Sequence, residues 1–340
     1  MRLPGVFSVS TKSKRLCVIG LGSMGKRRIR CLQALQYYDI LGIDPRQDRR
    51  EETENLYSIT TTDSISNLNF DEIDAIVIST PPDQHIQYQL LAIDNGIPAF
   101  VEASILIRHV EKALRYNTNN VFIGPSCTLC FHPLIKAIKE FSNTRKYGKI
   151  TNFVYNSGQY LPDWHPWEDY RTFYASNRQT GGAREIVPFE LTWIIDTLGF
   201  PLDIKGYFSK TFDYGLDIDD TYAFLLKYRD KVGSVLVDVA SRYAMRNLLL
   251  NFENAQIRWN WEDKHYSLYT SEDGSWHTVN LDEGSPDIPY KNFIEQVYID
   301  ELKCFLDTID GKSKFPNSLA NDAKVLALLN NIEDSDGGFQ

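Results

Sequence analysis

Two side chains stand where they could move a proton. Glu185 lies at the start of a helical stretch running from about Arg184 to Leu198, and His165 lies inside the run Asp163-Trp164-His165-Pro166-Trp167-Glu168-Asp169-Tyr170-Arg171. Interconverting an alcohol and a carbonyl needs a hydride carrier and a group that takes or gives the hydroxyl proton. A glutamate at a helix start, once buried, is raised toward neutrality and suits that transfer; its plainer role is an acid stabilising the helix dipole. Histidine is the side chain most readily tuned near neutral pH. Around His165, Trp164, Trp167 and Tyr170 offer flat apolar faces of the kind on which sugar rings stack, with Arg171 as a hydrogen-bonding neighbour. The same residues would also make a merely rigid loop. Arg184 could bind an acidic group or a phosphate, or simply form a surface ion pair. Trp164, Tyr170, Arg171 and Arg184 are therefore the substrate-binding candidates, and Glu185 and His165 the catalytic ones.

The hydride carrier has its own signature. Gly20-Leu21-Gly22-Ser23-Met24-Gly25 matches GxGxxG, directly after the apolar run Leu16 to Ile19 and before a helical stretch from Met24 toward Tyr37. That context is what the pattern requires. Gly20 permits the tight turn, Gly22 admits a pyrophosphate to the backbone, and Gly25 lets the helix pack on the strand. Unpaired N–H groups from Gly20, Gly22, Ser23, Met24 and Gly25 then face the diphosphate. Asp44 closes the second strand, where a carboxylate accepts hydrogen bonds from the adenosine ribose. It favours NAD, because it would repel a 2′-phosphate. Arg46, Arg49 and Arg50 could offset that repulsion, so NADP stays possible, although a solvated helix start is their plainer reading. Thr80, Pro81 and His85, in the loop Ser79 to His85 after the strand IDAIVIS, would lie along the nicotinamide ribose.

The elements that must position these groups alternate. Apolar runs at Leu16–Ile19, Leu41–Ile43, Ile73–Ser79, Pro98–Val101 and Val121–Ile123 read as buried parallel strands, with helices from about Gln84 to Asn95 and from Arg108 to Asn117 between them. Repeated βα units imply a doubly wound Rossmann sheet. Beyond a boundary near Gly124-Pro125, β-rich runs at 150–155, 221–228, 232–239, 248–252, 257–261 and 266–269 are interrupted by the helix over 184–198, and another helix covers 292–309. That pattern implies an α+β domain with a large open antiparallel sheet. The expected division is a dinucleotide-binding domain over 1–125 and a substrate and oligomerisation domain over 126–340.

Composition narrows the function classes. The chain has 340 residues, 36 basic and 45 acidic side chains, and a net charge of −9. An acidic balance argues against a nucleic-acid partner. No apolar run approaches a membrane span, and Met1 to Lys14 lacks the apolar core of a signal peptide. Five scattered cysteines, Cys17, Cys31, Cys127, Cys130 and Cys304, do not form a disulfide framework, which suits a reducing cytoplasm. The lone CxxC at Cys127 and Cys130 cannot supply four zinc ligands, and no third ligand joins His165 and Glu168, so no metal is expected.

The chain resembles the Gfo/Idh/MocA oxidoreductases. The resemblance rests on GLGSMG at Gly20 to Gly25, STPPDQH at Ser79 to His85, VEAS at Val101 to Ser104, FHP at Phe131 to Pro133, the Gly181-Gly182 pair, and Asn317-Ser318-Leu319. It implies a nicotinamide-dependent enzyme acting on a sugar or nucleotide sugar, Glu102 beside the cofactor, and a homo-oligomer, dimer or tetramer, formed through the second domain. LPDWHPWEDYR, Leu161 to Arg171, resembles a branch associated with bacterial surface-sugar biosynthesis. Two positions depart from the family pattern. Ala103 takes the place of the usual lysine, and Phe189 that of the usual histidine, or Glu190 in a register slipped by one. The departures leave open a dinucleotide-binding protein without dehydrogenase activity, a sensor or partner subunit.

Overall fold

The computed structural model describes residues 14–164, 169–281 and 293–335. Its first half contains β1 (Leu16–Ile19), α1 (Ser23–Ala34), β2 (Ile40–Ile43), α2 (Gln47–Tyr57), β3 (Thr60–Thr62), β4 (Ala75–Ile78), α3 (His85–Asp94), β5 (Ala99–Val101), α4 (Ile107–Tyr116) and β6 (Ile123–Pro125). The six strands form one parallel sheet in the order β3-β2-β1-β4-β5-β6. β1 and β4 are buried along their whole length, as strands covered on both faces must be. The strand order reverses between β1 and β4, so their carboxyl ends open the crevice in which such sheets bind ligands.

The second half contributes α5 (Pro133–Thr144), β7 (Ile150–Tyr160), α6 (Ala183–Leu198), β8 (Asp203–Ser209), β9 (Thr221–Lys227), β10 (Val232–Asp238), β11 (Ala240–Phe252), β12 (Ala255–Asn260), β13 (His265–Thr270), β14 (Ser275–Asn280), α7 (Phe293–Ile309) and α8 (Leu319–Ser335). Its eight strands run β14-β13-β12-β11-β7-β10-β9-β8. All neighbours are antiparallel except β7 and β10, which are parallel. β7, β9 and β10 alternate buried and exposed positions, so one face packs on helices and the other is open. α6 is buried on most of its surface and lies against the packed face. The last two helices return to the first sheet: α7 packs on α1, and α8 on α4 as well as on β8.

Several elements differ from the sequence reading. The sixth strand sits two residues later than expected, at Ile123–Pro125, and the Phe122 ring just before it stacks on Phe305. β14 is almost entirely exposed and β8 carries Gly206, so neither gives a strong alternating pattern. β11 reaches back to Ala240, through an irregular segment between Ala240 and Met245 where the pairing with β7 shifts.

Candidate active site

The turn after β1 is built by sterics. Gly20 has φ +90°, and a Cβ there would stand 2.6 Å from the Ser79 carbonyl oxygen of the neighbouring β4 loop. A Cβ on Gly25 would lie 1.8 Å from the Gly20 carbonyl oxygen. Neither position tolerates a side chain. Gly22 is different: a Cβ there meets only the Arg49 guanidinium, at 3.6 Å. Its backbone is open on the side a diphosphate would approach, at the N-terminus of α1, which has no side-chain cap. Ser23 and Met24 form the first turn of that helix. The cradle fits a dinucleotide.

Asp44 is nearly inaccessible at 3% exposure, and its carboxylate accepts from Leu21 N–H at 2.9 Å and from Arg46 N–H at 2.9 Å. It therefore ties the end of β2 to the glycine turn and lines the same cavity as Gly20, Arg49, Ser79, Thr80, Pro81 and Tyr88. The arginines separate. Arg46 forks onto Asp48, and Arg50 donates to the carbonyls of Asp44 and Pro45. Arg49 stands 3.7 Å from Asp44, beside Gly22.

At the end of β4, Thr80 lines the crevice, and its Oγ1 is buried with no hydrogen-bond partner among the described residues. His85 fixes this loop: its Nε2 bonds the Thr80 carbonyl at 2.8 Å, and burial pulls the imidazole down to about 4, so it is neutral and donates. Pro81 precedes the short turn that leads into α3. Glu102, after β5, is held bidentately by Arg28 at 2.6 and 2.9 Å and accepts from Ser79 Oγ at 3.3 Å. Arg28 has no solvent exposure. It also bonds Glu301 at 2.8 Å and lies over the Phe100 ring at 4.4 Å. Glu301 in turn accepts from Ser126 Oγ, Cys127 N–H and Thr128 Oγ1. Nothing in the motif patterns pointed to this network, because its members are far apart in sequence. It locks α1, the end of β5 and α7 together beneath the crevice.

α6 begins where the Gly181-Gly182 pair lets the preceding turn press close. A Cβ on Gly181 would meet the Ala175 carbonyl oxygen at 2.0 Å, and Gly182 has φ +61°. The pressed turn brings Tyr174 to Glu185. Tyr174 O–H donates to Oε1 at 2.8 Å, while Oε2 is sealed from solvent and accepts nothing among the described residues. Burial pushes the Glu185 carboxyl up to about 8, against the pull of the Tyr174 bond. The Tyr174 phenol is raised well above its usual range by burial and by the Glu185 carboxylate, with a smaller push from Glu102. Next to Glu185, Arg184 reaches the Ile105 carbonyl in the loop after β5, at 3.3 Å.

Phe189 shares the half-buried face of Glu185 one turn on, whereas Glu190 is fully buried against the sheet. Glu190 accepts from Tyr155 O–H, Ser157 Oγ, Trp193 Nε1 and Arg246 Nε, so all its capacity serves packing. Ala103 follows Glu102 in the irregular loop after β5.

The aromatic run divides. His165, with Trp167 and Glu168, lies outside the described residues. Trp164 is half-buried, and its buried Nε1–H has no partner among the described residues. Tyr170 O–H donates to the Tyr214 carbonyl at 3.1 Å. Arg171 is exposed and pairs with Asp169 in its own turn. Arg184 forms an ion pair, the plainer of its two readings, but an interior one: it forks onto Glu333 of α8 at 2.7 and 3.3 Å. All five cysteines are free thiols, and burial pushes Cys17 and Cys31 up to about 12. Among the described residues no cluster of His, Cys, Asp and Glu could hold a metal ion, and no helix is long and apolar enough to cross a membrane.

With the geometry in place, comparison with known proteins gives a consistent picture. Residues 14–116 match the GFO_IDH_MocA family model, described as an oxidoreductase family with an NAD-binding Rossmann fold. No curated protein matches the sequence. Solved structures match over almost the full length. An oxidoreductase from Agrobacterium radiobacter in complex with NAD+, L-tartaric acid and magnesium aligns with TM-score 0.81 and 14% identity, over 96% of this chain and 97% of that one. Levoglucosan dehydrogenase in complex with NADH aligns with TM-score 0.81 and 15% identity, over 95% and 96%. UDP-N-acetylglucosamine 3-dehydrogenase from Acidithiobacillus ferrooxidans aligns with TM-score 0.75 and 14% identity, over 94% and 97%. Residues 14–116 thus match an NAD-binding Rossmann family model, and the whole chain shares the two-sheet fold of these solved structures.

Proposed function

We propose that this chain is an NAD-dependent oxidoreductase acting at a hydroxyl or carbonyl carbon of a sugar-like substrate, in carbohydrate biosynthesis in the cytoplasm, as a dimer or tetramer. The observation that carries the reading is Glu185. It is a carboxyl with one oxygen anchored by Tyr174 and the other sealed and unclaimed, beside the loop that follows β5. It supplies proton chemistry that Ala103 and Phe189 cannot. Free thiols throughout fit a reducing compartment.

When bound, the nicotinamide ring supplies hydride transfer. The chain's own residues do the rest. Gly20 N–H is spent on the Ile43 carbonyl at 2.8 Å, so, against the sequence expectation, Gly20 only shapes the turn. Gly22 and the first turn of α1 hold the diphosphate, Asp44 accepts from the adenosine ribose, and Thr80 Oγ1 and Pro81 line the path toward the ring. Near neutral pH Glu185 is largely protonated at Oε2 and gives its proton to a carbonyl oxygen during reduction. As the carboxylate it takes the hydroxyl proton during oxidation. Trp164 and Tyr170 form the apolar wall on the substrate side.

The test is calorimetric titration of the protein with NAD and NADP, followed by a screen of sugars and nucleotide sugars for absorbance change at the nicotinamide band. NAD binding tighter than NADP, with turnover abolished in Glu185→Gln, supports the reading. A second reading keeps dinucleotide binding and drops turnover, and alanine and phenylalanine at positions 103 and 189 favour it. In that case NAD binds, no carbohydrate turns over, and Glu185→Gln leaves the protein's cofactor affinity and partner contacts as they were.

A further inference from the structure

Arginines buried in this fold are mostly consumed by their partners. Arg28 spends its fork on Glu102 and Glu301, and Arg184 on Glu333 and two carbonyls. Arg246 is different. It sits on β11, opposite Ser157 of β7 and on the face that packs against α6. Its Nε donates to Glu190 Oε1 at 2.9 Å. The other oxygen of Glu190 is already taken by Tyr155 O–H at 2.6 Å and Trp193 Nε1–H at 3.2 Å. Nε is thus the one guanidinium nitrogen seen bonded to the carboxylate. Neither Nη1 nor Nη2 makes a hydrogen bond among the described residues, although the side chain is only 14% exposed.

Aromatic rings also lie against the guanidinium. The Trp261 ring lies 4.7 Å and the Phe189 ring 5.9 Å from its central carbon. Phe189 is one helical turn from Glu185 on the same face of α6. Across the cluster, His132 packs against Trp259 and Trp261, and burial with the nearby Arg246 charge keeps its imidazole down to about 3, so it adds no competing cation. The arrangement leaves both Nη groups uncommitted among the described residues, beside the Trp261 and Phe189 rings, with Phe189 one turn from the proton-transfer carboxyl. That geometry matches an oxyanion received bidentately.

We propose that Arg246 recognises an anionic group on the substrate, a carboxylate or phosphate, and so restricts the enzyme to acidic sugars. The inference rests on the functional reading of Glu185 as the proton-transfer group, one turn from Phe189 on α6. Glu190 is then a positioning residue, buried to aim the fork.

The experiment is calorimetry of the full chain, with and without NAD, using D-glucuronate, glucose 6-phosphate and D-glucose as probes. At least one acidic probe is expected to bind tenfold or more tighter than glucose, and which one does so separates the carboxylate from the phosphate. Arg246→Lys keeps a cation for Glu190 but loses the fork, and is expected to cut that preference at least fivefold with NAD affinity unchanged. If that variant fails to fold, Glu190→Gln with Arg246→Met removes both charges together and is expected to abolish the preference. Acidic probes binding no tighter than glucose overturn the proposal, as does a preference that survives in the variants. Failure of NAD to bind, with the acid preference intact in the cofactor-free protein, overturns the functional reading and leaves the role of Arg246 standing.

Discussion

Glu185 links activity to stability through one proton. Its folded carboxyl titrates at about 8, well above an ordinary glutamate, because burial disfavours the charge more than the Tyr174 bond favours it. Between the unfolded value near 4.3 and the folded one, the native state holds a proton that the unfolded chain has released. Stability from this group is therefore full at low pH and is lost as pH rises through about 8. Glu185→Gln removes the titration, so it is expected to raise the melting temperature at pH 8 and above relative to wild type. Its effect at pH 5 should be small. The same variant should lose roughly 10²–10⁴-fold in kcat/KM, the usual worth of a positioned acid or base. Oxidation should accelerate with pH through about 8, since the carboxylate is the base. Tyr174→Phe deletes the bond that lowers this carboxyl, so the limb of the pH profile should move upward. An unmoved limb would mean that Tyr174 does no more than pack. Glu185 was visible in the sequence as a helix-start acid, but Tyr174 was not. The glycine pair that presses its turn onto α6 could be read, whereas the side chain it delivers depends on how a loop closes in space.

At the scale of elements, the βα turn separates glycines that build structure from the one that meets the ligand. In Gly25→Ala the new Cβ must displace the Gly20 carbonyl, so the protein should unfold at a clearly lower urea concentration. Gly22→Ala meets only a mobile arginine tip, so its melting curve should match wild type while NAD affinity falls tenfold or more in calorimetry. Equal NAD affinity in Gly22→Ala would mean the diphosphate lies elsewhere. The parallel sheet was legible because β1 and β4 are apolar on both faces and end in glycines or prolines, which local sequence records directly. The Arg28 network was not legible, since its carboxylates at 102 and 301 come together only when α7 docks on α1. Arg28→Met would strand two buried carboxylates and should cost about 3–5 kcal/mol in denaturant unfolding. Loss of that order would show that the C-terminal helices are part of the cofactor-binding half rather than an appendage.

For the whole molecule, the open face of the large sheet is what remains to be covered. Along it, Val154 of β7 pairs with Leu249 on one side and Ser234 on the other, and Ser234 pairs with Leu225 of β9. Val154 is 42% exposed, Leu225 55% and Tyr207 58%. These outward positions alternate with buried ones, so they belong to one contiguous surface over the central strands. The sheet edge at β8 is blunted, because Ser335 of α8 bonds both the N–H and the carbonyl of Gly206, and Lys205 and Asp203 stand exposed on the strand. Association through the β8 edge is therefore disfavoured, and the outward face is the surface the proposed oligomer is expected to use. Replacing Val154 and Leu225 together by glutamate should convert a dimer or tetramer to monomer in sedimentation velocity, with little change in NAD affinity, because neither side chain touches the inner core or the crevice. A net charge of −9 on each copy opposes self-association, so in the oligomer proposed above added salt should strengthen association by screening that repulsion. A protein that sediments as a monomer at all salt concentrations would leave this face for a different partner.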